Sequence, residues 1–301
     1  MGAVACGDDA PLEGDADMAI DASAPAADDA GRSADASTAD EVDGGRPVKV
    51  EIEFEARVGD ESFDCTSTYD VGIGPTRVMP LDFRMYVHDV ALLTQDGEHP
   101  VALEQDGVFQ DGTVALLDFE DDRGSCSNGT TATHSILVGE VPEREYTGLT
   151  FKIGVPEQRN HVNQAQSPSP LNIEGMFWSW TTGYKFLRVD VMPMDEATGF
   201  NVHLGSTMCA GDAAAGEAVT CQRANRPQVR FASFDASKHR IVVDLAALLA
   251  TSDVGQNMDG PPGCMSAPTD PECPAIFDAL GLSLDTGESS ENPTFLRVID
   301  K

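Results

Sequence analysis

The chain has 301 residues, 41% of them hydrophobic, and carries 51 Asp and Glu against 19 Lys and Arg, a net charge of −32. That balance excludes an ordinary nucleic-acid-binding surface, which needs clustered Lys and Arg to neutralise phosphates. The length supports a substantial core, and no uninterrupted apolar run approaches the roughly 18 residues of a membrane-spanning helix.

The N-terminal segment reads apart from the rest. Residues 1–45 carry twelve acids against Arg32 alone, in a background of Ala, Gly, Ser and Pro. So little apolar surface cannot offset the entropy of ordering, and residues 1–47 are expected to be a disordered acidic tether. In Ala3-Val4-Ala5-Cys6-Gly7 small residues precede a cysteine, as at the end of a bacterial lipoprotein signal, although no charged n-region or apolar h-region precedes them. Cys6 is therefore the lipidation candidate and the only expected membrane anchor. Residues 48–301 are expected to form one globular domain.

From Val48 the pattern changes: Val48, Val50, Ile52, Phe54 and Ala56 alternate with Lys49, Glu51, Glu53, Glu55 and Arg57. Period two marks a half-buried strand. Further short β-rich runs follow at 83–93, 114–119, 135–138, 149–155, 185–191, 200–204, 228–234 and 239–245, separated by turns such as Gln95-Asp96-Gly97 and Gln110-Asp111-Gly112. Many short strands without long helical patterns predict a mainly β fold, an antiparallel sandwich or barrel-like unit. Two short helices are predicted near the C-terminus, over 244–250 and 273–280, the second with Pro274 in its first turn and Gly281 at its stop.

The cysteines after Cys6 lie in polar, Gly-rich or Pro-rich surroundings, which reads as disulfides in an oxidising compartment. Short loops favour Cys209 with Cys221 and Cys264 with Cys273, leaving Cys65 with Cys126.

Several side chains invite chemistry. The acidic run 117–122 offers carboxylates to calcium, but without EF-hand spacing a solvated turn is the simpler expectation. His161 precedes a Pro-rich loop leading to Met176-Phe177-Trp178-Ser179-Trp180, which holds both tryptophans of the chain. On an extended backbone Met176, Trp178 and Trp180 share one face. His203 ends a predicted strand, and His88 lies beside Asp89 in another. Two imidazoles and a thioether suit copper, above all Cu(I), better than magnesium or calcium. The competing readings are that the tryptophans fill the core, or that Trp178, Trp180 and Tyr184 form a metal-independent surface platform for a carbohydrate or protein partner. Nucleophile-elbow, Walker, dinucleotide-binding and zinc-protease motifs are absent, so the common hydrolase, nucleotide and metalloprotease readings lack support; a copper oxidase would need a substrate that no motif identifies.

Taken in order, Asp82-Phe83-Arg84-Met85-Tyr86-Val87, residues 114–120, Cys126-Ser127-Asn128-Gly129-Thr130, Ile153-Gly154-Val155-Pro156, Asn160-His161, Ser169-Pro170-Leu171, Phe177-Trp178-Ser179-Trp180, residues 183–188, His203-Leu204-Gly205-Ser206 with Cys209, and Gly263-Cys264-Met265-Ser266 resemble the MbnP-like periplasmic copper-binding family. These are the four-Cys proteins of the "metallo-mystery pair", accompanied by a diheme MauG-like partner of the cytochrome c peroxidase family, MbnH. The resemblance covers about residues 48–285. It implies a non-catalytic role in copper homeostasis, a periplasmic or outer-membrane lipoprotein location, and oxidation of the first Trp of the W-x-W motif, here Trp178, to kynurenine by the diheme partner, creating a Cu(I) site. His161 and His203 are the expected imidazole ligands, with Met176 and His88 as further candidates and Trp180, Asn160 and Tyr184 as relay or support. His88 departs from the pattern, since the family more often has a small residue there.

Overall fold

In the computed structural model the described residues are 45–301, apart from Asn128, Trp180, Thr181 and Asp259. The expectations for Cys6, the acidic tether and Trp180 therefore lie outside the described residues.

The core rests on strand Thr76–Leu93, whose central residues Phe83, Met85, Tyr86 and Val87 are completely buried. An almost continuous apolar run of this kind belongs to a strand covered on both faces. It organises a sheet in the order Gln228–Phe231, Gly148–Ile153, Thr76–Leu93, Leu187–Pro193, Phe200–Leu204 and Gly263–Cys264, with Tyr69–Val71, Glu98–Pro100 and Val114–Asp118 also paired to the long strand. A second sheet runs Leu296–Asp300, His239–Asp244, Pro47–Val58, Ile136–Pro142 and Ala102–Leu103, with Glu61–Ser62 beside Pro47–Val58. The alternation beginning at Val48 places Ile52 and Phe54 in the core, Phe54 meeting Phe151 of the other sheet edge-on at 5.8 Å.

The chain is mainly β, and most pairings are antiparallel as expected. Among the described residues two are parallel: Phe54 registers with Ile241, and Asn201 with Gly263. The predicted helices are Leu245–Leu249, whose Asp244 side chain accepts from the N–H groups of Ala246 and Ala247, and Cys273–Ala279, with Pro274 in its first turn. The disulfides are Cys65–Cys126, Cys209–Cys221 and Cys264–Cys273, the pairing that loop length favoured.

Candidate metal centre

The tryptophan segment folds into a small hairpin, Phe177–Ser179 against Gly183–Tyr184, closed by a 2.6 Å hydrogen bond between Ser179 Oγ and Thr182 Oγ1. Gly183 has a φ of +81°, and a Cβ there would lie 2.4 Å from the carbonyl of Asn160. Only glycine permits that turn and that approach. The preceding loop is held by two buried tyrosines: Tyr86 Oη donates to Pro170 O at 2.8 Å and Tyr184 Oη to Leu171 O at 2.6 Å, their rings edge-on at 5.9 Å. The Trp178 side chain is half-buried, and a Cβ on Gly205 would sit 2.7 Å from Trp178 Cζ3. The indole thus lies directly on the backbone just past strand Phe200–Leu204, with its ring centroid 6.0 Å from that of His203.

His203 is held by a buried chain of charges built from sheet register. Arg84, Arg188 and His203 are neighbours across three strands, and Asp82 pairs with Asp190 two residues on, so their side chains share a face. His203 Nε2 lies 2.6 Å from Asp190 Oδ1; Asp190 Oδ2 accepts from Arg188 Nε at 2.8 Å; Arg188 Nη1 reaches Asp82 Oδ2 at 3.0 Å; and Asp82 takes a fork of hydrogen bonds from Arg84. All of these but Arg188, which is half-buried, are buried. Burial alone would raise the Asp190 carboxyl, but the hydrogen bond from His203 and the hydrogen bond and charge of Arg188 hold it below the usual carboxylate value. Because an ionised Asp190 accepts from Nε2–H, the His203 lone pair is on Nδ1, the nitrogen left for a metal. Arg188 Nη1 and Lys185 Nζ also donate to Gly175 O, at 3.1 and 2.9 Å, which ties the approach to the Trp178 hairpin into the same network. Burial, with Arg188 nearby, lowers the Lys185 ammonium to about 8.

The other predicted residues are placed differently. Asn160 joins the His161 loop to the hairpin: its Oδ1 accepts from Tyr184 N–H at 3.0 Å, which makes Nδ2 the donor to His161 Nε2 at 3.1 Å. His161 Nε2 also lies 3.4 Å from Cys221 Sγ. Met176 ends a 3-10 turn, Glu174–Met176, so the strand alternation does not reach it, and its side chain is completely buried in the apolar core. His88 sits at a β-bulge where Asp89 has a φ of +51°, and lines an open cavity that Cys221 also borders; neither ring nitrogen has a hydrogen-bond partner, Asp89 Oδ1 approaching Nδ1 to 3.3 Å without the right geometry. Burial lowers the His88 imidazole to about 4, so it is neutral at pH 7. Among the described residues, the only three His, Cys, Asp or Glu ligand atoms within 4.8 Å of one another are those of His161, Cys209 and Cys221, and these two cysteines form a disulfide.

Two expectations are corrected. Tyr184 is completely buried with its hydroxyl engaged, so it cannot belong to a surface stacking platform. The acidic run is not a solvated turn: Asp118 and Glu120 are completely buried, Asp118 Oδ2 accepting from Thr130 Oγ1 and the Glu120 carboxylate from the N–H groups of Asp122 and Thr130. Burial pushes the Asp118 carboxyl up to about 7, against the opposing charge of Arg84. The network Asp82, Arg84, Arg188 and Asp190, and the glycine at 205, were not among the predicted site residues. Their signal was present: Asp82-Phe83-Arg84 and Arg188-Val189-Asp190 place charges two apart inside apolar strands, on one face.

Comparison with known proteins adds to this geometry. The family model described as MbnP matches residues 47–266. Among solved structures, MbnP from Methylosinus trichosporium superposes with a TM-score of 0.77 at 32% sequence identity, covering 85% of this chain and 99% of that one. No curated protein matches.

Proposed function

The chain belongs to the MbnP family, and from that premise we propose that it is a non-catalytic periplasmic protein that binds Cu(I) at a site completed by oxidation of Trp178 to kynurenine. The observation that carries this reading is the packing of the Trp178 indole onto Gly205 beside His203, whose Nδ1 is released for a metal by the grip of Asp190 on Nε2. Copper is the cargo, and the donors suit it: neutral imidazole and a carbonyl or aromatic amine in a largely buried setting favour a soft monovalent ion over magnesium or calcium.

Opening the indole is a four-electron oxidation. Two oxygen atoms drawn from water enter at the two carbons of the C2–C3 bond as that bond breaks and four protons leave with the four electrons; a further water then hydrolyses the formyl group, releasing C2 as formate and leaving an aryl ketone and an aromatic amine. In this proposal a diheme partner of the peroxidase class takes the electrons and passes them to two molecules of peroxide, which with the four protons become water. The half-buried edge of Trp178 supports electron transfer to a docked partner, because the ring is reachable from the surface while its body stays fixed. His203 is the first imidazole ligand of the proposed site, and His161, brought to the same hairpin by Asn160, is the second, its Nε2 lone pair exchanging the Asn160 hydrogen bond for the metal. Met176, completely buried in the apolar core, is given no ligand role in this proposal.

The test is copper stoichiometry after co-expression with the diheme partner. The wild-type chain is expected to retain copper, and Trp178→Phe to lose it with the circular dichroism spectrum unchanged. Equal copper in the two would overturn the reading.

A further inference from the structure

The three disulfides differ in a way the copper reading does not use. Cys65, Cys126, Cys264 and Cys273 are at most 4% exposed. Cys209 and Cys221, by contrast, are both half-buried and face one another across a separate two-stranded ribbon, Thr207–Ala210 with Thr220–Arg223. Cys221 also lines an open cavity of about 670 Å³ shared with His88, Lys152 and Arg226. A small dithiol can reach this bond without opening the core.

An imidazole stands at the same place. His161 Nε2 lies 3.4 Å from Cys221 Sγ, and the ligand atoms of His161, Cys209 and Cys221 all fall within 4.8 Å of one another. The Asn160 amide donates to Nε2, so the lone pair is on the nitrogen nearest the sulfur, and a cation bound there takes the place of the Asn160 hydrogen bond. A disulfide sulfur has no proton to donate, so in the oxidised chain this contact is not a donor–acceptor hydrogen bond.

We propose that Cys209, Cys221 and His161 form a redox-gated binding site for a soft, closed-shell metal cation, shut while the disulfide is intact and opened by a dithiol reductant. In the opening step the dithiol delivers two electrons and two protons: the Cys209–Cys221 S–S bond breaks, two protein thiols form, and the reductant becomes a cyclic disulfide. Binding of the cation then releases the two thiol protons and sets two thiolates and one imidazole on the metal, a donor set that selects closed-shell soft ions. The site shares His161 with the proposed copper site but does not require Trp178, so the Trp178→Phe variant separates this proposal from the kynurenine reading.

The experiment uses the full chain in a Cys6→Ser background, so that every titrated thiol comes from a disulfide. The protein is treated with limiting dithiothreitol under native conditions, desalted without oxygen and assayed for thiols. Cd(II) is then added as the probe and its sulfur-to-metal charge-transfer absorption recorded. The expected result is two thiols per chain with the other disulfides intact, and a band that saturates at one Cd(II) per reduced chain and is absent from the oxidised chain. His161→Ala is expected to weaken the binding at least tenfold, Cys209→Ser with Cys221→Ser to abolish it, and Trp178→Phe to leave it unchanged. The oxidised wild type is a control that needs no mutation. Reduction of all the disulfides together, failure of any thiol to appear, thiols without the band, or a His161→Ala variant of unaltered affinity would each overturn the proposal.

Discussion

Asp190→Asn tests the buried charge chain at the point where structure and proposed function meet. The change keeps the shape of the side chain but removes its charge and replaces one acceptor oxygen with a donor. Asp190 receives hydrogen bonds from His203 at 2.6 Å and from Arg188 at 2.8 Å, and an amide oxygen can serve only one of them well. Arg188 keeps Asp82 and Gly175 O, so the loss is close to one charge-assisted hydrogen bond in a buried setting, about 2–3 kcal/mol. If the amide oxygen faces Arg188, its NH₂ faces His203, and the imidazole must accept at Nε2 and carry its proton on Nδ1. That tautomer has no lone pair for a metal at Nδ1, and copper affinity is expected to fall about 10- to 100-fold. The assays are urea denaturation and competitive Cu(I) titration of chain co-expressed with the diheme partner. The pH dependence has a definite sign. The Asp190 carboxyl lies below its ordinary value in the folded state, so its stabilising effect is present above that ordinary value and is lost as pH falls through the lower, folded one. The stability deficit of the variant should therefore shrink in acid. A variant with wild-type denaturation midpoint and wild-type copper affinity at neutral pH would refute the reasoning.

Gly205→Ala places a methyl group 2.7 Å from Trp178 Cζ3 and 2.8 Å from Tyr184 O, so it is expected to cost about 1–3 kcal/mol and to shift Trp178 fluorescence to longer wavelength as the ring is pushed outward. An unaltered spectrum and midpoint would show that the indole does not rest on this backbone. Asp118, raised by burial from an ordinary 3.8 to about 7, is protonated in the folded chain where the unfolded chain has already ionised; its contribution to stability therefore falls as pH rises between those values, with an upper bound of about 4 kcal/mol. Asp118→Asn should flatten that component, so that the difference in urea midpoint between variant and wild type grows in the variant's favour from pH 4 to pH 7. Joint replacement of Cys264 and Cys273 by Ala is expected to lower stability, read by urea denaturation, by about 2–4 kcal/mol, because the bridge pins helix Cys273–Ala279 to the strand beside Val202; an unchanged midpoint would contradict this.

Much of this architecture was legible because it is local. Alternation around Ile52 and Phe54, the turn residues between strands, and Asp244 and Pro274 at helix starts each act within a few residues of themselves. The disulfide partners Cys209 with Cys221 and Cys264 with Cys273 were legible for the same reason. The parallel pairing of Phe54 with Ile241 was not, because no local period encodes which distant strand becomes a neighbour. Strand Leu296–Asp300 escaped notice, being five residues long with charges at Arg297 and Asp300. The face shared by Met176 and Trp178 failed because the backbone tightens into a 3-10 turn before the strand begins. Trp178 and His203 were singled out separately, and the structure brings them together. The chain from Asp190 to Arg84 depends on cross-strand register, and Gly205 on a ring approaching from another segment; neither can be read from residue spacing alone.

The most direct test of the proposed function is the mass of the tryptic peptide Asn160–Lys185, isolated from chain made together with its active diheme partner. This peptide contains His161, Met176, Trp178 and Trp180. The account predicts a mass gain that fragmentation localises to Trp178 and that matches conversion of indole to kynurenine. An unmodified Trp178 in the presence of a demonstrably active partner would contradict it.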